Sequence, residues 1–205
     1  GHGMERRHEI LKRSSVGKRT SFFTIIAPES GQPLDTRRLL HDGQEVGAAL
    51  VADDGSGEDW ILRSEAGEEV VYEDVRFQGV GALITGTGGE PPASASLFHG
   101  KLLEVRDLRF EASTEVDLAF VMNEDVERKG FQGEVNGPDK AWTLKLDVGF
   151  PVNSAVFNGQ NIKPERQDDG SYLLRLKGSG ELSFGAASTI PVLVDGAEPL
   201  ASSVD

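Results

Sequence analysis

Short runs of β-forming residues, each closed by glycine, asparagine or aspartate, recur along almost the whole chain. Ser21–Ala27 is a run of aromatic and β-branched residues that stops at Pro28, and Val46–Ala52 ends in an Asp- and Gly-rich turn. Similar runs continue to residue 184, divided by turn dipeptides such as Asn158-Gly159. Short, regularly spaced strands with such turns are typical of stacked antiparallel sheets. The pattern predicts an all-β fold, an antiparallel β-sandwich of about a dozen short strands.

The predicted strands share either alternating polarity or a short apolar run between turn signals. After the first run they are 46–52, 60–63, 70–72, 75–77, 81–85, 94–98, 101–105, 108–111, 116–122, 131–135, 142–148, 154–157, 172–176 and 181–184. The dipeptide His99-Gly100 is expected to separate two of them. Alternation predicts that Val116, Leu118 and Phe120 point to one side.

Little helix is expected, because helical periodicity is almost absent. The exception is Leu34–Leu40, which is predicted to form one or two helical turns with Asp35 as the N-cap. No alternation of helices and strands is visible, which argues against doubly wound and barrel α/β folds.

Both ends of the chain differ in composition from the middle. Gly1–Gly3 precede Met4 and are interpreted as a cloning remnant. The β-sandwich domain is expected to cover residues 4–185. Residues 186–205 are rich in Ala, Ser and Pro and are expected to form a tail, with 190–194 as a candidate edge strand.

The composition excludes several classes of function. The chain has 205 residues, 21 Lys or Arg and 34 Asp or Glu, so its formal net charge is −13. General nucleic-acid binding and polybasic membrane anchoring both require a basic surface, and neither is expected. No apolar run approaches the roughly 20 residues of a membrane span, so no membrane insertion is expected. The absence of cysteine excludes disulfides, thiol nucleophiles and Cys-based zinc sites.

The charge is distributed unevenly. The first 38 residues carry 8 basic and 4 acidic side chains, including the adjacent Arg37 and Arg38. A basic first hairpin on an acidic body suits an anionic ligand or an acidic neighbouring domain. The alternative is that these arginines neutralise nearby acids of the same fold.

The turn after the 46–52 run is a candidate calcium site. Asp53, Asp54, Glu58 and Asp59 lie within seven positions, interleaved with glycine and serine. Calcium prefers several oxygen ligands on a flexible loop, although the spacing is not that of an EF-hand. The alternative is a solvated hairpin turn, and no other cofactor is expected.

The two tryptophans are candidates for sugar stacking. Trp60 and Trp142 each lie in a predicted strand, and exposed aromatic rings are the usual contact between sandwich modules and sugar faces. A core position is the default for either residue. The sequence has no Gly-x-Ser-x-Gly motif, which a Ser-His-Asp site on an α/β-hydrolase fold would need. Its glycines also lack the spacing of a phosphate-binding loop.

Three stretches resemble the C-terminal β-sandwich region of heparinase II/III-like polysaccharide lyases. The first runs from Arg7 through Pro28, the second covers 96–103 with 108–113, and the third joins 156–162 to 169–176. Together they span most of residues 6–185. The motifs consist of turn residues and alternation, which many sandwich modules share.

The resemblance implies a domain from polysaccharide degradation in a secreted or periplasmic bacterial protein. The family's catalytic residues lie mainly on an N-terminal helical toroid, with further ones on the first part of the sandwich. No position here matches its catalytic Asn, Tyr or Arg or its metal-binding His/Asp motif. We therefore expect a non-catalytic accessory domain whose partner is a polysaccharide or an adjacent catalytic domain. A freestanding carbohydrate-binding module and a small sandwich-fold enzyme acting on acidic polysaccharide are the alternatives.

Overall fold

The computed structural model describes residues 35–51, 57–64, 67–87, 92–123 and 129–186. Within these ranges the chain forms fourteen strands and no helix, and every strand pair is antiparallel, so the all-β prediction is confirmed. The strands are β1 (Asp35–His41), β2 (Gln44–Val51), β3 (Glu58–Arg63), β4 (Glu69–Tyr72), β5 (Val75–Thr85), β6 (Ser94–Val105), β7 (Leu108–Asn123), β8 (Gly130–Asn136), β9 (Ala141–Asp147), β10 (Ser154–Phe157), β11 (Gln160–Ile162), β12 (Glu165–Arg166), β13 (Tyr172–Lys177) and β14 (Gly180–Gly185).

Three long strands, β5, β6 and β7, connect two branches of one sheet. In the long branch, the order is β1-β2-β3-β5-β6-β7-β8-β14-β10-β11. In the short branch, β4 pairs with the first half of β5, and β9, β13 and β12 continue from the first half of β7. β5 therefore changes from β4 to β3 along one edge, and β7 changes from β9 to β8, whereas β6 keeps both neighbours along its length.

The sheet bends where Gly79 of β5 is paired with Gly100 of β6. Register shifts occur beside Gly79 and on both sides of Gly100, and His99 has a positive φ of 44°. A Cβ atom on Gly100 would lie 2.8 Å from the Cα atom of Gly79. Such bulges sharply increase local bending and twist. The expectation that His99-Gly100 ends a strand is therefore wrong, because the chain continues through a bulge rather than a turn.

The two branches share one hydrophobic core. Phe110, on the short-branch half of β7, lies 5.3 Å from Phe120, 5.5 Å from Phe131 and 6.4 Å from Phe184, measured between ring centroids. The last three belong to the long branch. Val116, Leu118 and Phe120 are all at most 2% exposed, as their alternation predicts. A bent sheet with a shared core is consistent with the predicted sandwich.

The helical prediction for Leu34–Leu40 is wrong over the residues that the structure describes. Asp35–His41 is the strand β1, which pairs along its length with β2. Only Leu39 of this strand is buried. A surface helix is stabilised by a stripe of several buried apolar residues, and this segment buries only one. Pairing with β2 outweighs the weak local preference for helix.

The predicted Asn158-Gly159 turn is confirmed. Phe157 pairs with Gln160, which leaves a two-residue loop, and the φ angles of Asn158 and Gly159 are 50° and 74°. Asn-Gly is the pair that best tolerates two positive φ angles. The strand β11 that follows was not among the predicted strands, and neither was β12.

Candidate functional site

An open cleft of about 640 Å³ lies on the outer face of the long branch. Its side chains come from the middle of β6 and β7, the end of β8, the β10–β11 turn and the start of β14. Its lining includes Phe98, Asp117, Glu134, Asn136, Asn158 and Glu181. They are far apart in sequence and are brought together by strand pairing and by the turn that carries Asn158.

Alternation along each strand explains why these side chains face outward. Leu118 and Val135 are paired across β7 and β8 and point into the core, so their neighbours Asp117 and Asn136, also paired, point away from it. Phe98 is on the same outer face and is 46% exposed. An exposed aromatic ring beside paired polar side chains is an unusual use of a sheet surface, since large apolar rings are normally buried.

A chain of hydrogen bonds holds the polar side chains in place. The Asn136 amide donates from Nδ2 to Oδ2 of Asp117 over 3.1 Å, and its Oδ1 accepts from the Ser179 hydroxyl over 2.6 Å. The Asp117 carboxylate also accepts from the backbone N–H of His99 over 2.7 Å. Ser179 is therefore a junction between the β13–β14 turn and the end of β8.

The Asn158 side chain is fixed in the same way. Its Nδ2 donates to the carbonyl oxygen of Ser179 over 3.1 Å, and its Oδ1 accepts from the backbone N–H of Glu181 over 3.0 Å. A Cβ atom on Gly180 would lie 1.7 Å from Oδ1 of Asn158, so only glycine allows the amide to sit there. The β10–β11 turn is thereby tied to the rim of the cleft.

Trp142, a predicted sugar-stacking residue, lies beneath the surface. It is 3% exposed and belongs to the core, its indole N–H points to the carbonyl of Gly178 over 3.3 Å, and Gly137 packs directly against its ring. Its ring faces are thus unavailable to a sugar, and Trp142 occupies the core position expected by default for a tryptophan in a strand.

Trp60, the other predicted stacking residue, is half-buried where the two branches meet. Its ring contacts Tyr72 edge-on, with centroids 5.2 Å apart, and its indole N–H donates to Glu58 over 2.9 Å. Arg37 also donates to Glu58, from Nε over 2.8 Å and from Nη2 to the second carboxylate oxygen. These contacts connect β1, β3 and β4. The polar groups of Trp60 and Arg37 are therefore bound to residues of the same chain.

The contact between Arg37 and Glu58 shifts the pKa values of both side chains. The hydrogen bond from Arg37, helped by that from Trp60, holds the pKa of the Glu58 carboxyl below its ordinary value, because both favour the carboxylate. In turn, the hydrogen bond to Glu58 raises the pKa of Arg37 above its ordinary value. Arg38 lies 3.8 Å from Glu45 in an exposed contact. For these two arginines the structure shows neutralisation by acids of the same fold.

The candidate calcium ligands are only partly visible. Asp53 and Asp54 lie outside the described residues. Glu58 is occupied by Arg37 and Trp60, and Oδ1 of Asp59 accepts from the backbone N–H of Gly86 over 3.0 Å. In the part of the chain that the structure describes, no three His, Asp or Glu side chains are grouped closely enough to hold a metal ion.

The cleft residues were not predicted from the sequence. Asn136-Gly137-Pro138 and Asn158-Gly159 were interpreted as turns, which accounts for their glycines but not for the orientation of their amides. Phe98 was counted as one strand residue among many. Only the register that places Asp117 opposite Asn136 and Glu134 opposite Glu181 assembles the site.

No protein-family model matches the chain, and no curated protein matches it. The resemblance to heparinase II/III-like lyases therefore stays a prediction. Among the described residues there is no helix that could cross a membrane.

Proposed function

We propose that this chain is a non-catalytic β-sandwich domain that binds polysaccharide in the outer-face cleft and so serves a protein of polysaccharide degradation. The observation that supports the proposal is the position of Phe98. It is an exposed aromatic ring, 46% accessible, beside fixed amides and carboxylates in an open cleft. Aromatic stacking on a sugar face, with hydrogen bonds to its hydroxyls, requires this combination.

The openness of the cleft suits a polymer better than a small molecule. Pockets for small ligands enclose most of the ligand surface, whereas this cleft lies on the outer face of a sheet. The polar groups come from separate elements but are connected through Ser179, so they are held in place before any ligand arrives. Such preorganisation reduces the entropy lost on binding.

Affinity-gel electrophoresis of the full chain tests the proposal against a panel of soluble polysaccharides. We expect at least one polysaccharide to retard the chain. The variant Phe98→Ala should weaken retention about tenfold, the equivalent of one lost stacking contact of roughly 1.4 kcal/mol. Val121→Ala is the matched control, because Val121 is also exposed on the long branch, at 60%, and does not line the cleft. Retention that is equal for both variants would contradict the proposal.

Two further measurements separate the alternatives. Incubation of the chain with uronic-acid polysaccharides, followed by the absorbance of unsaturated products, tests the enzyme alternative, and clear turnover would contradict a non-catalytic role. A natural reading frame that joins this domain to a helical catalytic domain would favour the accessory role over a freestanding carbohydrate-binding module.

A further inference from the structure

The charge of the cleft limits what kind of polysaccharide can enter it. Three carboxylates line it, those of Asp117, Glu134 and Glu181, and no Lys, Arg or His does so within the described residues. Asp117 is already an acceptor for His99 and Asn136. The other two carboxylates are therefore the free hydrogen-bond acceptors of the site.

Glu134 and Glu181 are directly opposite each other across β8 and β14, and both are exposed. In the described part of the chain, neither side chain has a hydrogen-bond or ion-pair partner. Like charges that face each other across two strands destabilise a sheet. An ionised carboxylate can only accept hydrogen bonds, so groups that donate them, such as hydroxyls, are suitable ligands for this pair.

The fixed amides supply the complementary donors. Asn136 and Asn158 each use their carbonyl oxygen and one N–H within the protein, which leaves one N–H on each amide. The cleft that Phe98 lines thus offers two amide donors and two carboxylate acceptors. A sugar hydroxyl can both donate and accept, and it can satisfy either type of group.

We infer that the polysaccharide bound in this cleft is uncharged and rich in hydroxyl groups, and that Glu134 and Glu181 set this preference by accepting its hydroxyl protons. The inference rests on the proposed function and deepens it. A neutral ligand also differs from the acidic polysaccharide on which the small-enzyme alternative would act. A uronate or sulfate group in the cleft would face the Glu134 and Glu181 carboxylates and could not donate to them.

The test compares acidic polysaccharides with the same polymers after reduction of their carboxyl groups to alcohols, which preserves the linkages. Neutral polysaccharides complete the panel. In affinity gels with the full chain, we expect each carboxyl-reduced polymer to bind at least tenfold more tightly than its acidic parent, and the neutral polysaccharides that bind to do so more tightly than the acidic ones. The difference in affinity between reduced and acidic polymers should become smaller at high salt, because salt screens repulsion between exposed charges.

The double variant Glu134→Gln/Glu181→Gln should reduce this preference several-fold. The double variant Glu68→Gln/Glu73→Gln changes the net charge equally at exposed positions outside the cleft and should leave the preference unchanged. Preferential binding of the acidic parents, or a preference that both double variants change equally, would overturn the inference while leaving polysaccharide binding in place. Failure to bind any polysaccharide would instead overturn the proposed function, and this inference with it.

Discussion

Arg37 on β1 and Glu58 on β3 form a two-point ion pair across the intervening strand β2, and Trp60 donates a third hydrogen bond to the same carboxylate. The Arg37 side chain is 48% exposed and the Glu58 side chain 23%, so solvent screens part of their attraction. Two parallel hydrogen bonds nevertheless give this pair a geometry that most surface ion pairs lack. The ion pair holds the edge strand β1 of the long branch close to Tyr72 of the short branch.

Removal of Arg37 should destabilise the fold, and the loss should depend on pH. Because the pKa of Glu58 is lowered in the folded state, the pair stabilises the fold fully above the ordinary carboxyl pKa of 4.5 and loses its effect as the pH falls through the lower folded-state value. Arg37→Met should therefore lower the free energy of unfolding by about 1 kcal/mol at neutral pH. The difference from the unmodified chain should shrink below about pH 4.5.

Urea unfolding at pH 7 and at pH 3.5 measures this difference. Arg38→Met is the control, since Arg38 makes only an exposed 3.8 Å contact with Glu45 and its loss should have little effect at either pH. A cost of Arg37→Met that stays constant between the two pH values would argue that the arginine acts through packing of its stem and not through Glu58.

The parts of the fold that the sequence predicts are those decided by local chemistry. The Asn158-Gly159 turn needs two positive φ angles, and few dipeptides other than Asn-Gly adopt them readily. The inward side of β7 follows from alternation alone. Both features could be predicted because neither depends on which strand lies alongside.

The parts that the sequence did not predict depend on pairing across the sheet. His99-Gly100 has the composition of a turn, and only the approach of Gly79 from β5 shows it to be a bulge. The cleft likewise requires the register that places Glu134 opposite Glu181. Pairs between distant strands leave no local signal in a single sequence, so the candidate site could be found only in the folded chain.

The bend at Gly100 should not tolerate a side chain. A Cβ atom there would lie 2.4 Å from the carbonyl oxygen of Gln78, and backbone atoms cannot move away as a flexible side chain can. Gly100→Ala should therefore force β5 and β6 apart and lower the free energy of unfolding by about 3 kcal/mol. Urea unfolding followed by circular dichroism provides the measurement.

Gly159→Ala is the matched control for that substitution. Gly159 has a φ of 74°, but apart from its own chain neighbours no atom of the described residues lies within 4 Å of the added Cβ, so its cost is backbone strain alone, about 1 kcal/mol. If the two alanine variants were equally stable, close packing at the Gly79–Gly100 crossing would not be what requires glycine.

Phe110 should make one of the largest single contributions to stability, because it connects the two branches. It is fully buried and contacts three long-branch rings. Phe110→Ala should cost about 3–5 kcal/mol, a typical loss for a core phenylalanine. Phe98→Ala, at a ring that is 46% exposed, should cost much less, and thermal unfolding of both variants tests the difference. Equal losses would show that Phe98 is a core residue, and its role in ligand binding would then be lost as well.

Substitution of Trp142 distinguishes a core position of its ring from a sugar-stacking position. If its ring were the sugar platform, Trp142→Phe would weaken retention in affinity gels as strongly as Phe98→Ala. Because the ring is 3% exposed and its N–H points to the Gly178 carbonyl, the substitution should instead cost about 1 kcal/mol of stability and leave retention unchanged. For a chain of this length that loss corresponds to a melting temperature lower by about 2–4 °C. Weaker retention without a lower melting temperature would mean that the ring reaches the surface when a polysaccharide binds, and the cleft around Phe98 would then not be the whole site.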